Sequence, residues 1–242
     1  MYALILAGGK GERLRPLTDT VPKPMIALCG RPILWHQVRW LREAGVTDVV
    51  FLVGHLADAV RDYFGDGSEF GIRAHYSRED VPLGRGGALR RGLAALPRDD
   101  HPVIATNGDV ITGASLAELI ADYHDRRRLN PAHCATILTV PMTSPYGIVD
   151  TGADGIVNQF REKVALPYAI NGGVYVLHPG IRDLLPDFGD HETTTFPALA
   201  AEGRMSAVST EAFWRSVDSP KDLREAEEHL SSLVAGSAEA AR

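Results

Sequence analysis

Cysteine is scarce in this chain, since only Cys29 and Cys134 occur among its 242 residues. The two lie far apart, and neither belongs to a Cys-x-x-Cys motif or stands beside a histidine pair. Disulfide frameworks and zinc sites both need such closely spaced ligands. The sequence therefore argues against both, and we expect the two cysteines to be small core residues.

Long apolar runs are absent as well. No stretch approaches the roughly 18 apolar residues that a membrane span needs. The N-terminus carries no basic segment and no small-residue cleavage site of the kind that marks a leader peptide. We therefore expect a cytoplasmic protein that does not associate with membranes. The nine histidines form no ligand pair at helical or strand spacing, so a catalytic imidazole is not indicated.

Positive charge is in deficit: 25 Lys and Arg stand against 31 Asp and Glu, a net charge of −6. Because proteins that bind a nucleic-acid backbone need a basic face, we expect no nucleic-acid partner. Any anion must bind in a local pocket. Lysine is especially rare, which suggests a GC-rich bacterial source and indicates that surviving lysines occupy places where a compact ammonium is preferred. We expect Lys221 to be an exception on a helix surface. The lysines are Lys10, Lys23, Lys163 and Lys221.

The most informative segment is a glycine-rich loop that follows a short apolar strand at residues 2–6. Open backbone N–H groups at its glycines suit phosphate oxygens, and four cations surround them. The loop is no P-loop, because no Gly-Lys-Ser/Thr follows at the required spacing, and Leu14 stands where a dinucleotide fingerprint needs its third Gly. The glycines and cations are Gly8, Gly9, Gly11, Lys10, Arg13, Arg15 and Lys23.

The chain begins with a strand, continues with Gly-Gly-x-Gly-x-Arg-Leu and then has Lys-Pro. This arrangement resembles the start of the sugar-1-phosphate nucleotidylyltransferases, also called nucleotide-sugar pyrophosphorylases. A second segment, Glu-Asp-Val-Pro-Leu-Gly-Arg-Gly-Gly-Ala-Leu at 79–89, is similar to the family's Pro-Leu-Gly-Thr-Gly-Gly-Ala-Leu motif. In that motif the glycines let a nucleobase lie against the backbone. The segment looks most like the bacterial heptose 1-phosphate guanylyltransferases. Arg85 replaces the usual Thr, and phosphate and solvent are equally open directions for its side chain.

Glu79 and Asp80 are the residues that indicate which nucleobase the NTP carries. Guanine presents two adjacent N–H donors that a carboxylate accepts, whereas uracil and thymine present one, so we favour GTP. The nucleotide-binding residues that the resemblance implies are Leu6, Ala7, Gly8, Gly9, Gly11, Glu79, Asp80, Pro82, Gly86, Gly87 and Asn107.

Apolar runs and helical patterns alternate along the first half of the chain. They predict strands at 49–53, 72–76 and 103–106, with helices at 32–45, 57–64 and 87–96. Such alternation predicts an α/β fold, a Rossmann-like, mainly parallel mixed sheet flanked by helices, with ligands beyond the carboxyl ends of its strands. The second half predicts a helix at 115–127, strands at 135–140 and 168–177, a hairpin around Asp154-Gly155 and a helix at 219–230.

No linker divides the chain, so we expect one nucleotidyltransferase domain over residues 1–230. Its nucleotide-binding half is 1–112, and a small β-rich sugar-binding half is 113–230. We expect a disordered tail at 231–242, where Ala, Ser, Gly and Glu dominate. The length leaves little room for the C-terminal β-helix of longer family members.

Two aspartates are the candidate metal ligands. Asp109 ends an apolar strand at the edge where the glycine loop also emerges, and carboxylates combined with phosphates suit Mg²⁺. The resemblance implies that Asp109 and Asp218 together hold Mg²⁺ as the cofactor.

The catalytic cations and the residues that contact the sugar are those that the resemblance implies. Arg13, Lys23 and Lys163 are the implied catalytic cations, Lys163 holding the sugar phosphate. Val164 stands where the family usually has Pro. The implied contacts to the sugar are Tyr146, Gly147, Glu162, Asn171 and Gly172.

A sugar 1-phosphate is already an anionic nucleophile, so attack on the α-phosphorus of an NTP needs no general base. The products would be an NDP-sugar and pyrophosphate, from GTP and a heptose-like substrate.

Uridylyl, thymidylyl or cytidylyl transfer to a hexose or a sugar-like phosphate stays open as an alternative activity. A regulatory module that binds nucleotide sugars without turnover is a weaker alternative, because the full charged set is present. A Rossmann oxidoreductase is weaker still. The resemblance also implies self-association into a homo-oligomer.

Overall fold

The computed structural model describes residues 1–97 and 101–240. Its strands are β1 (Tyr2–Ala7), β2 (Ala27–Leu28), β3 (Arg31–Pro32), β4 (Asp48–Val53), β5 (Arg73–Arg78), β6 (Val103–Asn107), β7 (Val110–Thr112), β8 (Ala135–Thr143), β9 (Ile148–Thr151), β10 (Val157–Arg161), β11 (Ala165–Leu177), β12 (Met205–Ser209) and β13 (Trp214–Ser216). Its α-helices are α1 (Ile33–Glu43), α2 (Ala57–Phe64), α3 (Gly84–Ala94), α4 (Leu116–Leu129), α5 (Thr195–Ala201) and α6 (Pro220–Ala240).

Seven strands form the central sheet in the order β12-β8-β11-β6-β1-β4-β5. Strands β6, β1, β4 and β5 run parallel to one another. Strand β11 is antiparallel to both of its neighbours, β6 and β8, while β12 is parallel to β8. The predicted α/β fold with a mixed, mainly parallel sheet is therefore confirmed. The part of the chain that the structure describes contains no β-helix.

The sheet is covered on both faces, and β1 makes this visible. Ile5 is buried with Leu34 of α1 on one face, in a core that also includes residues of α2 and α4. Leu4 points to the other face, where it is buried with Leu89 of α3 and Phe196 of α5. Alternate side chains of a strand point to opposite faces, so a strand buried on both sides reads as a continuous apolar run. This explains why β1 was recognisable from sequence.

Helix α2 has the predicted bounds, and β9 and β10 form the predicted hairpin around Asp154-Gly155. The last helix differs, because α6 continues to Ala240 instead of ending near residue 230. Ala and Glu favour helix, so the segment expected to be a disordered tail extends α6 as far as 240. Residues 241 and 242 of that tail lie outside the described range. The division into a nucleotide half and a sugar half stays a prediction.

The two cysteines have different environments. Cys134 is buried, as expected, whereas Cys29 is exposed. The expected core position is therefore wrong for Cys29. The physical reason is local, since Cys29 lies in the tight turn between β2 and β3 with a φ of 48°. Within residues 1–97 and 101–240, none of the helices combines the length and apolar character of a membrane span.

Asp48 begins β4 at the end of the sheet opposite the glycine loop, and its side chain is 4% exposed. Arg73 of β5 donates from Nε to Asp48 Oδ1 at 2.7 Å and from Nη2 to Oδ2 at 2.5 Å. Burial alone would raise the pKa of Asp48, but the hydrogen bonds from Arg73, Thr47 and His75 outweigh it and lower the pKa to about 2. The charged form therefore stabilises the fold above the unfolded-state pKa, and this stability is lost as the pH falls toward 2.

We expect Asp48→Asn to reduce the free energy of unfolding by about 2 kcal/mol at pH 7. The difference from wild type should shrink as the pH falls from 5 toward 2, because the wild-type carboxylate then becomes protonated. Urea unfolding across that range measures this. Asp58→Asn is the matched control, since its ion pair with Arg78 is exposed and contributes little. A loss for Asp48→Asn that does not vary with pH would contradict the assignment.

Candidate active site

A cavity of about 310 Å³ opens beyond the carboxyl ends of β1 and β6, the edge that the sequence predicted. The cavity brings together eight predicted site residues: Leu6, Gly8, Gly9, Lys23, Glu79, Pro82, Asn107 and Asp109. It is also lined by six residues outside the predicted set: Pro24, Gly84, Arg85, Ala88, Gly108 and Asp190.

Lys23 is the electrostatic centre of this cavity, with a side chain only 12% exposed. Its Nζ donates to Asp109 Oδ2 at 2.5 Å and to Asp218 Oδ1 at 2.7 Å. Arg13 Nη2 reaches the same Asp218 oxygen at 2.7 Å. Two predicted catalytic cations and both predicted metal ligands therefore form one cluster, although Asp109 and Asp218 are 109 residues apart in sequence.

Backbone pairing brings Asp218 to Asp109. Strand β13 runs antiparallel to β7, with Ser216 opposite Val110. Just beyond that pair, Val217 N donates to Asp109 O at 2.9 Å. The strand edge therefore fixes where the second carboxylate emerges, and the start of α6 follows directly.

The charge of Asp218 is held by its neighbours. Burial raises the pKa of Asp218, but the hydrogen bond and the charge of Lys23 outweigh burial. Ser216 and Arg13 lower the pKa further, so its net shift is downward. Ser216 Oγ donates to Asp218 Oδ2 at 2.9 Å. Asp218 is therefore a carboxylate at neutral pH and is available to bind cations.

Gly11 shapes the position of Lys23. Its φ is +62°, a left-handed conformation, and a Cβ added there would lie 2.7 Å from Lys23 Cβ. Only glycine leaves room for this approach without strain. The absence of a side chain at Gly11 therefore leaves room for the stem of Lys23. Gly11 itself does not line the cavity.

We expect Gly11→Ala to lower kcat/KM on the order of 10²-fold, because displacing the predicted catalytic group, Lys23, by about 1 Å would have a cost of that order. Gly30→Ala is the control, since Gly30 also has a positive φ, +77°, but an added Cβ there has open space. Both variants share the cost of a positive φ, and Gly11→Ala should lose more stability in thermal melts, because its added Cβ also meets Lys23 and Thr18. Activity is therefore compared at a temperature at which both variants are folded. Equal activity of the two would show that the Gly11–Lys23 approach has no catalytic importance.

Several predicted nucleotide residues lie outside the cavity. Gly86 and Gly87 are buried at the start of α3, where both backbone N–H groups donate to Gly189 O. An added Cβ at Gly86 would lie 2.7 Å from Pro186 Cγ. The structure thus explains these glycines by packing of α3 against the loop at 186–191. Ala7, Gly11 and Asp80 likewise do not line the cavity, and their nucleotide contact stays a prediction.

Glu79 has a structural bond of its own, because its Oε2 accepts from Leu83 N at 2.6 Å. Its other oxygen lies beside the glycine loop, 2.9 Å from where a Cβ at Gly8 would be. Glu79 therefore lies beside the glycine loop and bonds to the segment that enters α3.

Asn171 and Gly172 lie where β11 has an irregular register against β8. Asn171 Nδ2 donates to Tyr175 Oη and its Oδ1 accepts from Gly173 N, both at 3.0 Å. Gly173 has a φ of +68°, and an added Cβ would lie 2.6 Å from Asn107 Nδ2. The irregular part of β11 at 171–173 is therefore next to Asn107, which lines the cavity.

Gly147 and Glu162 are neighbours beside the β9–β10 hairpin. A Cβ at Gly147 would overlap the Phe160 ring and lie 3.0 Å from Glu162 Oε1. Tyr146 is 77% exposed there. Lys163 follows with a φ of 52°, a conformation rare outside glycine and enriched at functional sites. The structure thus brings the predicted sugar residues together in two groups, one at this hairpin and one at 171–173.

No cluster of three or more His, Cys, Asp or Glu side chains that could hold a metal ion occurs among the described residues. The pair Asp109 and Asp218 nevertheless fits Mg²⁺, which binds through one or two carboxylates plus substrate phosphates. One observation supports the fit: Asp109 Oδ1 is buried and accepts no hydrogen bond within the described part of the chain. A cation would satisfy that oxygen.

Five of the six cavity-lining residues outside the predicted set could have been found from the sequence, and one could not. Pro24 and Gly108 directly adjoin Lys23, Asn107 and Asp109, and three others fall within the 79–89 segment. Asp190 could not be found this way, because its partner Arg85 is 105 residues away. Its signal is long-range packing between the start of α3 and the loop before α5.

Comparison with known proteins defines the class. The family model described as nucleotidyl transferase matches residues 2–232. The chain belongs to this nucleotidyl transferase family, which confirms the predicted family.

Curated relatives are similar over most of this chain. It is 37% identical to mannose-1-phosphate guanyltransferase 2 of Candida glabrata, over 92% of this chain and 63% of that protein. It is 36% identical to the mannose-1-phosphate guanyltransferase of Saccharomyces cerevisiae, with the same coverage, and 36% to the Xenopus tropicalis mannose-1-phosphate guanylyltransferase catalytic subunit beta, over 92% and 62%. The chain thus spans less than two thirds of the length of these relatives.

Solved structures agree on the fold. HddC from Yersinia pseudotuberculosis superposes with a TM-score of 0.70 at 26% identity, covering 95% of this chain and 99% of that one. A second structure of HddC, complexed with GMP-PN, matches with the same TM-score at 25% identity and the same coverage. The finer resemblance to heptose enzymes and the bacterial source stay predictions.

Proposed function

We propose that this protein is a sugar-1-phosphate guanylyltransferase, which joins GTP and a sugar 1-phosphate to give a GDP-sugar and pyrophosphate. The observation that carries the proposal is the Lys23 ammonium between Asp109 and Asp218 at a glycine-lined cavity. The family match supports nucleotidyl transfer, and the names of relatives at 35–37% identity support the guanylyl group.

The chemistry is an in-line displacement. A phosphate oxygen of the sugar 1-phosphate attacks the α-phosphorus of GTP, and the bond from that phosphorus to the bridging β-phosphate oxygen breaks, releasing pyrophosphate. The nucleophile is already an anion, so no side chain has to remove a proton. What the protein must supply is positive charge that holds two polyanions together. Lys23 and Arg13 supply it beside the glycine loop, and Lys163 is proposed to hold the phosphate of the sugar substrate.

Asp109 and Asp218 are proposed to hold Mg²⁺. When bound, Mg²⁺ would neutralise phosphate charge during transfer. Lys23 occupies both carboxylates in this structure, so its ammonium must share them with the cation or move toward the phosphates.

For the sugar we propose a substrate of the mannose 1-phosphate type, because the curated relatives carry that name. A heptose 1-phosphate, favoured by the 79–89 segment, is the second candidate. Glu162 and Asn171 are proposed to bind sugar hydroxyls, with Tyr146, Gly147 and Gly172 shaping the site around them.

Pyrophosphate release by purified protein tests the proposal. The assay combines GTP, ATP, UTP, dTTP and CTP, each with mannose, heptose or glucose 1-phosphate and Mg²⁺. We expect release with GTP that depends on the sugar phosphate, with mannose 1-phosphate the better substrate. Faster turnover with UTP, dTTP or CTP would overturn the guanylyl assignment, and GTP binding without release from any combination would favour a non-catalytic role.

A further inference from the structure

The end of the cavity at α3 contains a charged cluster that the proposed chemistry does not use. Arg85 Nη1 lies 2.8 Å from Glu192 Oε1, and its Nη2 lies 3.3 Å from Asp190 Oδ2. Arg85 Nε also donates to Asp190 Oδ1 at 3.3 Å. Both Arg85 and Asp190 line the cavity. The two carboxylates therefore hold the guanidinium at the cavity wall.

This end of the cavity is poorly suited to phosphate. The first free amides of a helix are a common phosphate site, but here Arg85 N donates to Asp190 Oδ1 at 3.0 Å. Gly86 N donates to Gly189 O at 2.8 Å, so the next amide is also satisfied. Two carboxylates facing one guanidinium leave no excess positive charge. A triphosphate has a better site at Lys23 and the glycine loop.

A neutral, planar group with hydrogen-bond acceptors fits this end instead. A guanidinium has five N–H donors; Nε and Nη2 each donate one to Asp190, and Nη1 forms an ion pair with Glu192 Oε1, which leaves further N–H groups on the two terminal nitrogens. A pair of N–H donors on the terminal nitrogens of a guanidinium matches O6 and N7 of guanine, the most common arginine–base contact. Pro82 and Ala88 add apolar surface to the cavity lining.

We propose that Arg85 is the residue that selects guanine, by donating to O6 and N7 of the base, and that Asp190 and Glu192 are its positioning residues. The inference deepens the proposed guanylyltransferase function and rests on it. It also reassigns base selection, which the sequence had placed on Glu79 and Asp80. Adenine presents an amino donor where guanine has O6, so Arg85 disfavours ATP, and CTP is disfavoured for the same reason at its N4 amino group. Uracil offers O4 but no N7.

Binding measurements test the role of Arg85 without turnover. Calorimetry would compare GTP with 7-deaza-GTP, which lacks the N7 acceptor, and with ATP. The variants are Arg85→Thr, the residue usual in the resembling motif, and Arg85→Lys, which keeps a charge for Asp190 and Glu192 but loses the planar fork. Arg91→Thr is the matched control, because Arg91 is exposed on the same helix and outside the cavity.

Wild type and Arg91→Thr should bind GTP about 10-fold more tightly than 7-deaza-GTP, since one acceptor of a bidentate pair is lost. In Arg85→Thr that ratio should approach one, and the preference for GTP over ATP should fall by about 10-fold or more. Arg85→Lys should be intermediate, because an ammonium can still donate to one acceptor. An unchanged 7-deaza ratio in Arg85→Thr would overturn the inference while leaving guanylyl transfer intact. So would an equal loss of affinity for all nucleotides, which indicates a phosphate contact. If wild type bound dTTP or UTP more tightly than GTP, that result would instead contradict the proposed guanylyltransferase function.

Discussion

Lys23→Ala is expected to lower kcat/KM by on the order of 10²-fold or more, because one preorganised charge facing a developing phosphate charge contributes about that much. Lys23 is largely buried and is the residue through which Asp109 and Asp218 are joined. No neighbouring cation replaces it among the described contacts, since Arg13 reaches Asp218 but is far more exposed. Initial rates of pyrophosphate release with GTP and mannose 1-phosphate measure the loss.

The matched control is Lys221→Ala. Lys221 is 70% exposed on α6 and lies 3.8 Å from Glu225, an exposed pair of small energetic value. We expect full activity for this variant and a native circular dichroism spectrum for both. Near-normal turnover of folded Lys23→Ala would remove Lys23 from the catalytic machinery.

Asp109→Asn is the second change with a large expected effect. It keeps the shape of the side chain and leaves Lys23 paired with Asp218, so the fold should persist. The buried Oδ1, which accepts no hydrogen bond among the described residues, loses the charge that a cation would need. We expect kcat/KM to fall on the order of 10²-fold or more. The Mg²⁺ concentration for half-maximal activity should rise.

Asp125→Asn serves as the control for Asp109→Asn, because Asp125 is an exposed residue of α4 that pairs with Arg128 on the same helix. It should leave both the rate and the Mg²⁺ dependence unchanged. Direct titration with Mn²⁺ gives a readout that does not depend on turnover. Equal Mn²⁺ affinity of wild type and Asp109→Asn would contradict the assignment of Asp109 as a ligand.

Local sequence patterns predicted the parts of the fold that have local causes. The apolar strand of residues 2–6, helix α2 and the β9–β10 hairpin each carry their periodicity or turn residues within a few positions. Strand β12 was not predicted, because Met205–Ser209 is short and weakly apolar, and its position is set by parallel pairing with β8. Helix α5 was also not predicted, because seven residues are too few to show a clear helical periodicity.

The site divides in the same way. Lys23, Asp109 and Asp218 could be predicted because each stands in a motif of the resembling family, and the structure brings them within hydrogen-bond distance. Asp190 could not, because its contact with Arg85 depends on how the loop before α5 packs on α3. Gly86 has a motif position, yet its close approach to Pro186 is a packing requirement that appears only in the folded chain.

The proposed activity of this protein is transfer of a guanylyl group from GTP to a sugar 1-phosphate at this cavity. The most direct test is mass spectrometry of the products formed from GTP and mannose 1-phosphate with Mg²⁺, alongside pyrophosphate quantification. We predict GDP-mannose and pyrophosphate in equal amounts, with neither formed by Lys23→Ala at a comparable rate. Release of GDP and inorganic phosphate without a GDP-sugar, or no product from any sugar 1-phosphate despite GTP binding, would contradict the account.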